Sequence, residues 1–253
     1  MATQKGIVKL NGTIGDITFY RSKDGYMARE KGGVDPSRIA NDPAFLRTRE
    51  NGREFSNITG AGKILRTALR PLMMNCADSK VVSRLVKIMA GIKNMDSTSD
   101  RGERNVATAL DTPNAKLVFN GFDFNTDGKL STVLFAPYRV DMHSGAITFD
   151  TLDPRMGVKF PEEATHMGLT SAFARVDFLS GEGDCSLSPT EIIAASAVPA
   201  AVTVTPAATP ATASTHSSID LFLLKIEFYQ RINGRNYSLK NGSHNVLNIL
   251  KTA

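Results

Sequence analysis

Ile219-Asp220-Leu221-Phe222-Leu223-Leu224-Lys225-Ile226-Glu227-Phe228-Tyr229-Gln230, running on into Arg231-Ile232-Asn233-Gly234-Arg235-Asn236-Tyr237, is the stretch that decides the fold class. Its first part has the length and the aromatic and β-branched content of a strand. Asn233-Gly234 then tolerates the positive φ angles of a two-residue turn, so the chain should double back as a hairpin. Upstream, residues 116–120, 130–136, 146–150 and 169–178 read as further strands, separated by Gly, Pro, Asn and Asp clusters. Several short strands at this spacing predict a C-terminal antiparallel β-sandwich, Ig-like, over residues 105–253.

One segment breaks that rhythm. Residues 194–218 are almost wholly Ala, Thr, Pro, Val and Ser, with Pro199, Pro206 and Pro210 and no charge. On composition this is an exposed loop or linker. Read functionally it is an arm, because Ala201, Val202, Thr203, Val204 and Thr205 favour a strand that could add to the sheet edge of a neighbouring subunit.

The first hundred residues differ. Residues 5–10, 13–20 and 25–30 read as strands with tight turns, Ser22-Lys23-Asp24-Gly25 supplying one of them, which predicts an N-terminal β-hairpin over residues 1–34. Asp42 then offers a helix cap and Pro43 a first helical residue, for a helix over 43–55. Gly60 and Gly62 predict a break. A second helix follows, on the stripe Ile64, Leu65, Ala68, Leu69, Leu72 and Met73, with a kink or early end at Pro71. Asp78 or Ser79 should cap a third, whose apolar face is Val81, Val82, Leu85, Val86, Ile88, Met89 and Ile92. The fold class expected is α+β: hairpin, three-helix basic region over 35–104, and β-sandwich.

Charge is unevenly placed. Residues 1–104 hold 19 Lys+Arg against 11 Asp+Glu, while residues 105–253 hold 11 against 14, within a total of +5. Arg47, Arg49, Arg53, Lys63, Arg66, Arg70, Arg84 and Lys87 could contact nucleic acid or an acidic partner, or copies of the chain could stack basic end to acidic end. The plainer reading is solvated helix faces. Tryptophan is absent and no zinc-finger, RNP or KH pattern occurs, so base stacking is not suggested.

Catalytic and metal motifs are incomplete. Asp123-Phe124-Asn125-Thr126-Asp127-Gly128-Lys129-Leu130 matches the first eight positions of an EF-hand calcium loop, but the twelfth, where a bidentate carboxylate is needed, is Leu134. A hairpin turn between strands is expected there instead. His143, His166, His216 and His244 have no ligand companions at metal spacing, Glu162-Glu163 reads as solvated, and Gly60-Ala61-Gly62-Lys63 falls short of a phosphate loop. No metal, cofactor or catalytic residue is implied. Cys76 and Cys185 read as free thiols, not a secreted disulfide framework. With no signal peptide and no apolar run long enough for a membrane span, the expected location is cytoplasmic, or a particle released without Sec export.

Lys5-Gly6-Ile7-Val8-Lys9-Leu10-Asn11-Gly12-Thr13-Ile14-Gly15-Asp16-Ile17-Thr18-Phe19-Tyr20 and Asp24-Gly25-Tyr26-Met27-Ala28-Arg29-Glu30-Lys31-Gly32-Gly33 resemble a family of bacterial proteins of Bacteroidota type. The likeness continues through Asn41-Asp42-Pro43-Ala44-Phe45 and Arg47-Thr48-Arg49-Glu50-Asn51-Gly52, and returns at Tyr237-Ser238-Leu239-Lys240-Asn241-Gly242. It implies kinship and carries no activity. The functional expectation is a non-enzymatic structural protein that joins itself or other structural proteins in a larger particle, such as a phage-like virion, an injection device or a filament. The alternative is a nucleic-acid-associated protein using the basic helical face.

Overall fold

The computed structural model describes residues 2–30, 32–76, 78–239 and 242–253, without the side chain of Pro113. It is an α+β protein in two compact units, Met1–Asn51 and Gly52–Ala253. The division expected near residues 34 and 104 is not found. After Gly52 the helices and strands share a core, so they cannot part at 104.

In the first unit, β1 (Ala2–Thr3), β2 (Gly12–Ile14), β3 (Ile17–Ser22) and β4 (Gly25–Glu30) form an antiparallel sheet in the order β1-β4-β3-β2. Gly15, at φ +57, opens the two-residue turn joining Ile14 to Ile17, a position where glycine carries no steric cost. Residues 5–10 are not the strand expected. They bulge out between β1 and β2, and Gln4 closes the excursion: its Nε2 donates to Leu10 O (3.2 Å) while Leu10 N donates to its Oε1 (2.8 Å). Helix α1 (Pro36–Asn41) is capped by Asp35, whose Oδ1 accepts from Ser37 N at 2.7 Å.

Asp42 caps as expected, its Oδ1 accepting from Ala44 N, but Pro43–Phe45 is a 3-10 turn and the helix proper, α2, runs Leu46–Ala68. It passes straight through Gly52, Gly60 and Gly62. Glu54, Ile58, Ala61 and Leu65 recur along one buried face, and their packing outweighs the roughly 1 kcal/mol each interior glycine costs. The end expected at Pro71 is present: α2 stops at Ala68 and a four-residue helix, α3 (Arg70–Met73), begins with the proline in its first turn. Helix α4 (Val81–Lys93) buries Val81, Leu85, Met89 and Ile92 of the expected face, while Val82 is exposed; its cap is Lys80 without a side-chain bond, not Asp78 or Ser79, because the Asp78 carboxylate accepts from Lys80 N and Arg84 instead of a first-turn amide.

Two expected strands are helical. Residues 116–120 fall in and after α6 (Pro113–Leu117), which follows α5 (Val106–Ala109); residues 130–136 begin with α7 (Leu130–Val133). Ala115 and Phe119, and Leu130, Val133 and Leu134, are buried at three- and four-residue spacing, a pattern a short apolar run shares with a strand.

Beyond Ala136 the chain is mostly β: β5 (Arg139–Val140), β6 (Ile147–Leu152), the short α8 (Pro154–Gly157), β7 (His166–Asp177), β8 (Gly183–Leu187), β9 (Glu191–Ala194), β10 (Ala200–Val204), β11 (Ser218–Ile232), β12 (Arg235–Ser238) and β13 (Val246–Thr252). β11 pairs with β7 along the whole of β7; β12 and β13 line the other edge of β11, and β8 and β9 the other edge of β7. The Asn233-Gly234 hairpin forms as expected, with φ +50 and +77 between the paired Ile232 and Arg235.

Alternation along β11 sends side chains both ways. Ile219, Leu221 and Leu223, with Ala172, Ala174 and Val176 of β7, share a core with Ile58, Leu65, Leu85, Met89 and Ile92 of the helices. Leu224, Ile226 and Phe228 pack instead with Ile147, Phe149 and Leu152 of a three-stranded sheet ordered β10-β6-β5. Helices thus cover one face of the larger sheet and the smaller sheet covers the other.

Candidate functional site

Most of the eight basic residues singled out from sequence have local partners. Arg47 Nη1 donates to Glu50 Oε2 (2.8 Å), and Arg49 Nη1 to the carbonyls of Ile39 (2.8 Å) and Asp42 (2.9 Å), tying α1 and the turn after it to α2. Arg53 pairs with Glu103 at 2.9 Å, and Arg66 Nε donates to Gly62 O at 3.1 Å. Arg84 is the most committed: it donates to Asp123 O, Phe124 O and Asp78 Oδ2, with its guanidinium 5.0 Å from the Phe122 ring centre. Lys63, Arg70 and Lys87 point to solvent.

The candidate arm lies on its own chain. Val202, Thr203 and Val204 of β10 pair with Phe149, Thr148 and Ile147 of β6, and Val204 is buried. The loop or linker expected over 194–218 is therefore partly a strand. Val-Thr-Val supplies β-forming residues and the absence of charge lets Val204 enter the core.

The calcium-like loop is a staple. Asp123 Oδ1 accepts from Leu130 N (3.0 Å) and Asn248 Nδ2 (2.7 Å), and Asn125 Nδ2 donates to the carbonyls of Ser243 (3.1 Å) and Asn245 (2.8 Å). Asn245 in turn donates to Asn75 O and accepts from Phe228 N. The expected hairpin between strands is a loop from Phe124 to α7 instead, because its side chains bond across to β13 and the turn before it. Its short polar residues fix tertiary structure, and sequence spacing gave no sign of those distant partners.

Glu162, Glu163 and His244 border a cavity of about 230 Å³ with Pro161 and Leu239, a meeting the sequence did not indicate. Among the described residues no group of three His, Cys, Asp or Glu is arranged to hold a metal. Burial pushes both thiols, Cys76 and Cys185, up to about 12, which leaves them protonated near neutrality. Lys225 Nζ lies 3.0 Å from Glu227 Oε1, whose other oxygen accepts from the Tyr229 hydroxyl at 3.0 Å; burial, then Glu227, raises that hydroxyl's pKa. This is a satisfied ion pair among core side chains.

What stands out lies in the first unit, where Glu50 is the single buried side chain among the described residues. Residues paired directly across strands share a face. Ile14 with Ile17, Ile17 with Glu30, Phe19 with Ala28, Ala28 with Ala2 and Arg21 with Tyr26 therefore lie on one side. Thr13, Thr18, Tyr20, Met27 and Arg29 lie on the other. The first side is largely apolar, yet Ile14 is 63% exposed and Ile17 46%. It carries a shallow concavity of about 440 Å³ bordered by Ala2, Asp16, Ile17, Ala28, Arg29 and Glu30.

No family model, curated protein or solved structure matches the chain. No helix among the described residues is long and apolar enough to cross a membrane.

Proposed function

We propose that this chain is a non-enzymatic assembly subunit, which joins copies of itself or other structural proteins in a larger particle through its N-terminal sheet. One observation carries the reading: the sheet presents Ile14, Ile17, Phe19 and Ala28 on one side, with Ile14 and Ile17 exposed and Phe19 and Ala28 only half-buried. A small sheet needs its apolar face covered to be stable in water. A partner surface supplies that cover, and the energy of covering it, about 25 cal/mol per Å² of apolar surface, becomes energy of association. The smaller sheet lying over one face of the larger supports a sandwich-like C-terminal scaffold. Virion, injection device and filament are all consistent with such a subunit, as is residence in the cytoplasm before release. Negative-stain micrographs of the purified chain should show multi-copy rings, tubes or clusters; single particles alone would overturn the proposal.

The nucleic-acid alternative draws on Lys63, Arg70 and Lys87, exposed members of the basic set that are not tied into the local ion pairs and hydrogen bonds of Arg47, Arg49, Arg53, Arg66 and Arg84. It ranks second, since phosphate binding by three lysines and arginines is weak at physiological salt. A mobility shift at low salt, lost when all three are replaced by glutamine, would revive it.

A further inference from the structure

The apolar side of the N-terminal sheet is polarised along its strands. At one end, Glu30 stands opposite Ile17, and Asp16 in the adjoining turn borders the same concavity. At the other end, Arg21 stands opposite Tyr26, with its guanidinium 5.6 Å from the ring centre and the Lys9 ammonium 5.8 Å from it. Ile14 and Ile17 lie level with Glu30 at the acidic end, and between the two ends lie Phe19 and Ala28. The basic and acidic ends are four residues apart on β3, roughly 13 Å. Neither Arg21 nor Glu30 has an ion-pair partner among the described residues, and both are exposed.

A face with an apolar middle, an acidic end and a basic end is complementary to itself when reversed. Resting on the assembly reading above, we infer that its occupant is the same face of a second copy, packed sheet on sheet about a two-fold axis that lies between the sheets and across their strands. That operation sets the basic end of one copy over the acidic end of the other, twice: Arg21 and Lys9 against Glu30 and Asp16, with Ile14 and Ile17 reaching Tyr26 and with Phe19 and Ala28 closing the centre. The opposite orientation sets like charges together at both ends, so the charges select the reversed packing. The opposite side carries Tyr20 and Met27 among threonines, and Arg29 is the one charge among its paired residues, so it offers no charge separation.

Sedimentation velocity on the full chain and two single variants, R21E and E30R, tests this. Each variant alone sets like charges against each other at both ends, and its self-association should weaken roughly tenfold or more. Mixing the two should restore association, because the new carboxylate at position 21 of R21E then faces the new guanidinium at position 30 of E30R, while Glu30 of R21E faces Arg21 of E30R. Variants that associate as tightly as the parent, or a mixture no tighter than its components, would overturn this packing while leaving the assembly reading intact. A parent chain that stays monomeric at every concentration would overturn both.

Discussion

At Gly128 a Cβ would sit 2.3 Å from the Asn245 carbonyl oxygen, and at Gly242, where φ is +80, it would sit 2.2 Å from that of Asn75. Both glycines let the calcium-like loop and the turn before β13 lie against neighbouring backbone. Gly128→Ala should therefore destabilise the fold by roughly 2 kcal/mol or more in urea unfolding, whether or not calcium is present. Asp96 acts at the same scale. Burial alone would push its carboxyl up, but hydrogen bonds from Ser99, Asn105 and Thr98 outweigh that and hold it at about 2, below the ordinary 3.8. A depressed carboxyl contributes stability above its unfolded pKa and loses it as pH falls through its folded one. About 2 kcal/mol should accordingly disappear between about pH 4 and pH 2, and Asp96→Asn should flatten that part of a stability-versus-pH curve. The failed twelfth position of the calcium-like loop was legible from spacing. Its real partners, Asn248, Asn245 and Ser243, lie more than a hundred residues away and were not.

Among the elements, those with strong local chemistry were readable: the Asn233-Gly234 turn, the Asp42 cap, the stop at Pro71 and the apolar stripe of α4. Others depended on distant partners. Residues 116–120 and 130–136 have strand-like composition yet lack a ladder to join, and they bury the same apolar residues as helical turns. β13 was missed because Asn248 interrupts its apolar run and only pairing with β11 makes it a strand. In α2, glycine signalled a break that packing on Ile58, Ala61 and Leu65 overrides. Gly52 and Gly60 have open space where a Cβ would go. Alanine at either should raise stability by about 0.5–1 kcal/mol in denaturant melts, whereas a true helix break would make the change neutral or harmful.

On the scale of the whole molecule, much of the uneven charge visible in the sequence is taken up by local partners within each unit. Arg47 and Arg49 belong to the first unit, and in the second unit Arg53, Arg66 and Arg84 are held by local acceptors. The larger sheet lies between two apolar clusters, so they should unfold together. Leu221→Ala, facing the helices, and Phe149→Ala, facing from the smaller sheet, should each cost about 3 kcal/mol and shift the same cooperative transition. Among the described residues the first unit has no such core, and on the assembly reading another molecule completes its apolar face. Multi-angle light scattering over a wide range of concentration and salt tests this most directly. Mass should rise with concentration above the 27.3 kDa of one chain, whereas 27.3 kDa at every concentration and salt would contradict it.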